Sequence, residues 1–120
     1  MESPPNKISF QLIGPFAIID HEGRDITPRG QKTCAMLAIL ALSPNLRRSR
    51  KWLQDKLWSE RADAQGSASL RQSLAEARRT FGPLRDIIQS DHFQISLSTD
   101  DIAVDANGLS PEQALRLQHT

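Results

Sequence analysis

Residues 65–81 carry the side chains best suited to chemistry. Arg71, Gln72, Arg78 and Arg79 bring guanidinium and amide donors together, and Ser69 and Ala75 lie between them as small spacers. None of these lies in a nucleophile or general-acid motif. Their chemistry is recognition: guanidinium and amide groups donate to base-edge and phosphate acceptors, and small neighbours let a backbone come close to a base pair. Leu70, Leu74, Ala77 and Phe81 recur at i, i+4, i+7 and i+11, which predicts a helix from Gln65 to Phe81 with one apolar stripe. The opposite side then presents Gln65, Ala68, Gln72, Ala75 and Arg79. Arg71 and Arg78 flank it on one side, Ser69 and Glu76 on the other.

The elements that must position this helix can be read in order. Residues 1–6 are expected to be disordered. Lys7–Leu12 alternates apolar and polar residues, Phe16–Asp20 follows after Gly14-Pro15, and Arg24–Thr27 returns after a turn at His21-Glu22-Gly23; these predict a small antiparallel sheet. A helix over Gln31–Leu42, apolar nearly all round, belongs in the core and is closed by Ser43-Pro44. Asn45–Arg50 is a basic connector. Ser49 or a neighbour caps a second helix, Lys51–Trp58, in which Trp52 and Trp58 read as core and rim packing. A charged loop, Ser59–Ala64, precedes the third helix, so the second and third helices form a helix-turn-helix arrangement. Gly82-Pro83 stops the third helix, and Asp86–Ser90 and Phe93–Leu97 predict a hairpin with Ser90-Asp91-His92 at its tip. Thr99–Asp105 is acidic and leads to a second capping pattern at Ser110-Pro111-Glu112-Gln113.

The net charge of +1 conceals a segregation. Residues 47–85 hold ten Lys/Arg against four Asp/Glu, a net of +6, and the remainder holds five against ten, a net of −5. Basic charge confined to one supersecondary unit is the footprint of a nucleic-acid surface. The single cysteine, Cys34, excludes a disulfide within the chain and fits a reducing compartment. It sits in an apolar run of nine residues, Cys34–Leu42, far short of the ~20 needed to span a bilayer. The first residues carry no basic-then-apolar signal pattern, so the expected location is cytoplasmic, with no membrane partner.

Enzyme chemistry finds little support. His21, His92 and His119 are far apart and lack metal-ligand spacing, and no glycine-rich phosphate loop or nucleophile motif occurs. Asp100-Asp101 reads as a solvated acidic loop, and Cys34 as a small core residue. The expectation is a non-enzymatic protein with no cofactor.

The stretches Phe10-Gln-Leu-Ile-Gly-Pro-Phe16, Lys32 through the apolar helix, Arg48-Ser-Arg-Lys-Trp-Leu53, Leu57-Trp58-Ser59 and Leu70-Arg-Gln-Ser-Leu-Ala-Glu-Ala-Arg-Arg79 stand in this order. As an ordered set they resemble the N-terminal DNA-binding domain of SARP-type bacterial transcriptional activators, itself similar to the winged helix of OmpR-like regulators. The resemblance covers roughly residues 7–97. It implies an α+β fold: a winged helix-turn-helix with an N-terminal antiparallel sheet, three helices and a C-terminal β-hairpin wing, spanning residues 7–98. Residues 99–120 would then be an acidic linker and the start of a further helical region.

The function the resemblance implies is sequence-specific binding of double-stranded DNA for transcriptional regulation, with the third helix in the major groove and commonly as a dimer on repeated sites. Ser69, Gln72, Ala75 and Arg79 would face the groove, Arg71 and Arg78 the phosphates or groove wall, and Arg48, Arg50 and Lys51 the phosphates at the start of the second helix. His92 and Gln94 at the hairpin tip are further contacts. The loop bearing Ser59, Glu60, Arg61 and Asp63 would touch RNA polymerase, and a helical-repeat or effector domain would follow. The alternative is a winged-helix interaction module that docks an effector domain or partner without reading DNA; Glu76 beside the proposed reading face and the missing wing glycine are the features that favour it.

Overall fold

A computed structural model describes residues 8–105. Expectations for residues 1–7 and 106–120, including the capping pattern at Ser110, lie outside them. The described residues form an α+β fold with three helices and two three-stranded sheets. Strands β1 (Ile8–Gln11) and β2 (Ala17–Ile19) open the chain, followed by helix α1 (Gln31–Leu42). Strand β3 (Arg47–Ser49) leads directly into α2 (Arg50–Leu57) and then α3 (Asp63–Phe81). Strands β4 (Ile88–Ser90), β5 (Gln94–Leu97) and β6 (Ile102–Val104) complete it. None of the described helices is long and apolar enough to cross a membrane.

Helix α1 is the centre of the core: every residue from Thr33 to Ala41 is buried. The apolar stripe of α3 packs with it, with Leu70, Leu74, Ala77 and Phe81 all buried. Each large side chain so buried is worth about 1.5–3 kcal/mol in removed apolar surface, so this stripe sets the rotation of α3. From α2, Leu53 and Leu57 enter the same core together with Trp58, whereas Trp52 is half-buried beneath Arg48, whose guanidinium lies 4.1 Å from the ring centroid. Helices α2 and α3 approach closely at Gly66, where a Cβ would stand 2.8 Å from Gln54 Cγ.

Three local expectations are corrected. Arg24–Thr27 does not form a third strand; only Asp25 bridges to Ile19. Carboxylates take the backbone donors a strand would use: Asp20 Oδ1 accepts from the Glu22 and Arg24 amides, and Asp25 Oδ1 from the Thr27 amide. The third strand of that sheet is instead β6, inside the stretch read as an acidic linker. It runs parallel to β1, with Ile8 opposite Ile102 and Phe10 opposite Val104, so the sheet order is β2-β1-β6. Asp105 closes the pairing by accepting the Leu12 amide at 2.7 Å. Lastly, part of the basic connector is strand β3. It lies antiparallel to β5 in a sheet of order β3-β5-β4, so the hairpin has a third strand tied to the start of α2.

The N-terminus of α1 depends on a distant residue. Its N-cap, Gly30, has no side chain, and its first turn contains no acid. Glu76 of α3 fills that role: Oε2 accepts the Arg29 and Gly30 amides at 3.1 and 2.9 Å, and Oε1 accepts the Thr33 hydroxyl at 2.6 Å. The carboxylate thereby satisfies the N-cap amide and the one before it and meets the positive end of the helix dipole. These contacts, the Thr33 hydroxyl foremost, hold its carboxyl below the ordinary value of 4.5, against a smaller opposing effect of burial. A Cβ on Gly30 would fall 2.6 Å from Glu76 Oε1, so a larger residue there would push the carboxylate aside.

Glu76→Gln is therefore expected to cost about 1 kcal/mol near neutral pH, the usual worth of a helix cap, measured by urea unfolding. A carboxyl whose folded pKa is depressed stabilises fully above its unfolded value and loses that contribution as pH falls through the folded one. The difference between wild type and variant should thus narrow below pH 4.5. A difference that stayed constant into acid would show that the charge plays no part. Gly30→Ala should reproduce the defect and add little to Glu76→Gln, since both remove the same contact.

Candidate nucleic-acid interface

With its apolar stripe inward and Glu76 turned to α1, helix α3 exposes Arg71, Gln72, Ala75 and Arg79, while Ser69 and Arg78 are half-buried on its flanks. The helix begins at Asp63 rather than Gln65, since Asp63 suits the first turn of a helix, so the loop before it shortens to residues 58–62. It ends at Gly82, whose φ of 58° is a left-handed conformation that glycine adopts without penalty. The 3-10 turns of Gly82–Ile87 then deliver the chain into β4.

Between α3 and the β4–β5 hairpin lies a groove of about 670 Å³, lined by Arg50, Arg71, Arg78, Arg79 and Arg85 with Leu74, Ala75, Gly82 and Ser90. Five arginines and no acidic residue line it. A second cavity of about 580 Å³ continues it toward the hairpin tip through Arg50, Arg71 and Ser90, adding Ser67, Asp91 and His92. Several of the arginines also hold the structure together. Arg50 Nε donates to the Asp91 carbonyl at 2.7 Å, Arg78 Nη2 to the Ile88 carbonyl and Ser90 hydroxyl at 3.0 and 3.2 Å, and Arg71 Nη1 to the Ser67 hydroxyl at 3.1 Å. A guanidinium has five N–H donors. Each of these arginines can anchor the hairpin or helix through one nitrogen and still offer donors to an anion.

The other expected site residues are distributed differently. Arg48 lies on the inward side of β3 with Ile95, donates Nε to the Ser43 hydroxyl at 2.9 Å and stacks on Trp52, so it is a packing residue as much as a surface charge. Lys51 is paired with Asp55 and Asp63 at 3.2 and 3.5 Å, and these partners, Asp55 first, raise its pKa. Gln94 alternates with buried Ile95 and lines a polar recess of about 470 Å³ with Arg47, Gln89 and Ser96, on the outward side of the sheet. Ser69 and Gln72 border a third cavity toward α1, shared with Glu76 and Arg61. Ser59, Glu60 and Arg61 are exposed in the turn between α2 and α3, whereas Asp63 has joined α3. Cys34 is buried, donates its thiol to the Pro28 carbonyl at 3.1 Å, and has its pKa pushed up to about 11, chiefly by burial, which leaves little thiolate for chemistry.

Two residues of this face were not singled out in the sequence. Arg85 was visible only as part of the basic window; the 3-10 turns after Gly82 swing it to the groove. Phe93 alternates with Ile95 and Leu97 and so reads as an inward strand residue, yet β5 begins at Gln94 and Phe93 is 80% exposed at the tip.

Comparison with known protein families, with curated proteins and with solved structures finds no match to the chain.

Arg78→Ala should lower stability by about 1 kcal/mol, the net worth of the hydrogen bonds it makes to β4. It should also speed amide exchange selectively over residues 88–97. Unchanged exchange there would mean that the hairpin is held by the sheet pairing of β3 alone.

Proposed function

We propose that this domain binds double-stranded DNA in sequence-specific transcriptional regulation, as a winged helix acting in the cytoplasm. In this reading α3 enters the major groove and the β4–β5 hairpin is the wing that lies on the adjacent backbone. The observation that carries the reading is the five-arginine groove without a carboxylate, set beside the small exposed face of α3. Arg79, Gln72 and Ala75 face the base edges, Arg79 and Gln72 as donors and Ala75 as the small residue that permits close approach. Arg50, Arg71, Arg78 and Arg85 neutralise phosphates. The resemblance to SARP-type activators supports the same assignment and adds a dimer on repeated sites, contact with RNA polymerase through Ser59, Glu60 and Arg61, and a following helical-repeat or effector domain. Glu76, one of the two features that favour an interaction module, is engaged by three donors at the end of α1 and borders the same cavity as Gln72.

Fluorescence anisotropy with random duplexes across a salt series, followed by selection of the tightest sequences, tests the proposal. The logarithm of affinity should fall linearly with that of salt, and one motif should be enriched. On the selected duplex, Arg79→Ala and Gln72→Ala should each cost about 1–3 kcal/mol while leaving random DNA less affected. Arg50→Ala should weaken all duplexes alike and reduce the salt slope by about 0.9. Lys51→Ala should change the slope less, because its charge is already shared with two carboxylates. Absence of duplex binding at low salt, or equal losses on selected and random duplexes for the α3 variants, would refute the base-reading assignment.

A further inference from the structure

Phe93 is exposed over 80% of its surface, yet its position is tightly built. Its amide donates to Asp91 Oδ1 at 2.8 Å, and its carbonyl accepts the Arg50 amide at 2.7 Å. The Gln94 amide donates to the same Asp91 oxygen at 2.9 Å, and Arg50 Nε holds the Asp91 carbonyl. The His92 ring meets the Phe93 ring edge-on, with centroids 6.5 Å apart. A lone exposed apolar side chain is common on protein surfaces and by itself means little. This one differs because its turn is fixed before any ligand arrives, so little backbone ordering remains to be paid for on binding.

Its surroundings indicate the kind of surface it fits. Arg50, Arg71 and His92 line the cavity beside the tip. The one acid there, Asp91, accepts two backbone amides, Phe93 first, which keep its carboxyl ionised below the usual carboxylate range, so two arginine charges stand against one at the tip. An apolar ring beside two arginines suits a polyanion with apolar surface between its charges. The minor groove of DNA has this character, with phosphates along both rims and stackable base steps within.

We propose that Phe93 is an apolar wedge that enters the minor groove next to the α3 site, partly unstacks one base step and kinks the duplex there. The inference rests on the DNA-binding reading above. It adds a source of sequence preference that no hydrogen bond supplies: pyrimidine–purine steps such as TA and CA unstack and kink easily, whereas A-tracts resist. The domain should then discriminate at a position its polar side chains do not touch.

The test uses the 120-residue chain with selected duplexes that carry either a TA step or an A-tract at the position facing the tip. Duplex bending is read by energy transfer between end labels, and unstacking by the fluorescence of 2-aminopurine placed in the step. Wild type should bend the TA duplex, brighten the probe and favour that duplex over the A-tract by about tenfold. Phe93→Ala should abolish the bend, the brightening and the preference while leaving the salt slope unchanged, because no charge is removed. Phe93→Leu should retain most of all three. Equal bending and equal step preference in wild type and Phe93→Ala would overturn the wedge while leaving DNA binding intact. If Phe93→Ala alters only the self-association of the protein in sedimentation, the tip is a contact between copies and the wedge is likewise refuted. Failure of the wild type to bind any duplex at low salt would overturn both readings together.

Discussion

The carboxylate of Glu76 against the first turn of α1 is the contact on which the orientation of the proposed DNA face depends. Helix α1 is buried along nearly its whole length and arrives at its N-terminus with a glycine cap and no acid of its own. The amides of Arg29 and Gly30 lead into that end, and α3 supplies an acceptor for both. One residue thus meets two demands. It caps the central helix, and with the stripe of Leu70, Leu74, Ala77 and Phe81 it leaves α3 one rotation about its axis. That rotation turns Arg71, Ala75 and Arg79 outward.

The arginines beside α3 serve both structure and charge. Arg50 and Arg78 join the hairpin to α2 and α3 through hydrogen bonds to backbone carbonyls, so the hairpin does not depend on sheet pairing alone for its place. Carbonyl acceptors add no opposing charge, unlike the carboxylates paired with Lys51. The five arginines around the groove repel one another in the free protein, with Asp91 near Arg50 and Glu76 near Arg79 offsetting part of the charge, and a polyanion would relieve the remainder while meeting the remaining N–H donors. Anchoring through carbonyls therefore keeps the groove both rigid and attractive to anions.

Much of this could be read from spacing and composition. The central burial of α1, the Ser49 cap of α2, the two faces of α3 and the stop at Gly82 all appear as expected. The basic window marked the part of the chain that carries the arginine groove. The strands were less legible. Arg47–Ser49 has no apolar alternation, and it becomes a strand because β5 offers it an open edge. Arg24–Thr27 has a strand-like composition, but neighbouring carboxylates capture its amides. Phe93 follows the inward alternation of β5, but the turn built on Asp91 makes the strand begin one residue later and leaves the ring outside.

The sequence by itself determined the helices and their faces, because the pitch of an α-helix converts residue spacing into direction whatever surrounds it. It likewise determined that basic charge would gather around α2 and α3. Only the tertiary structure decided which charges meet and which are spent. It paired β6 with β1, brought Asp105 to the amide of Leu12 across 93 residues of chain, and placed Glu76 on Gly30 across 46. Such contacts form only after the core has closed between distant segments. No local pattern of residues encodes them, since each depends on where another element has already packed.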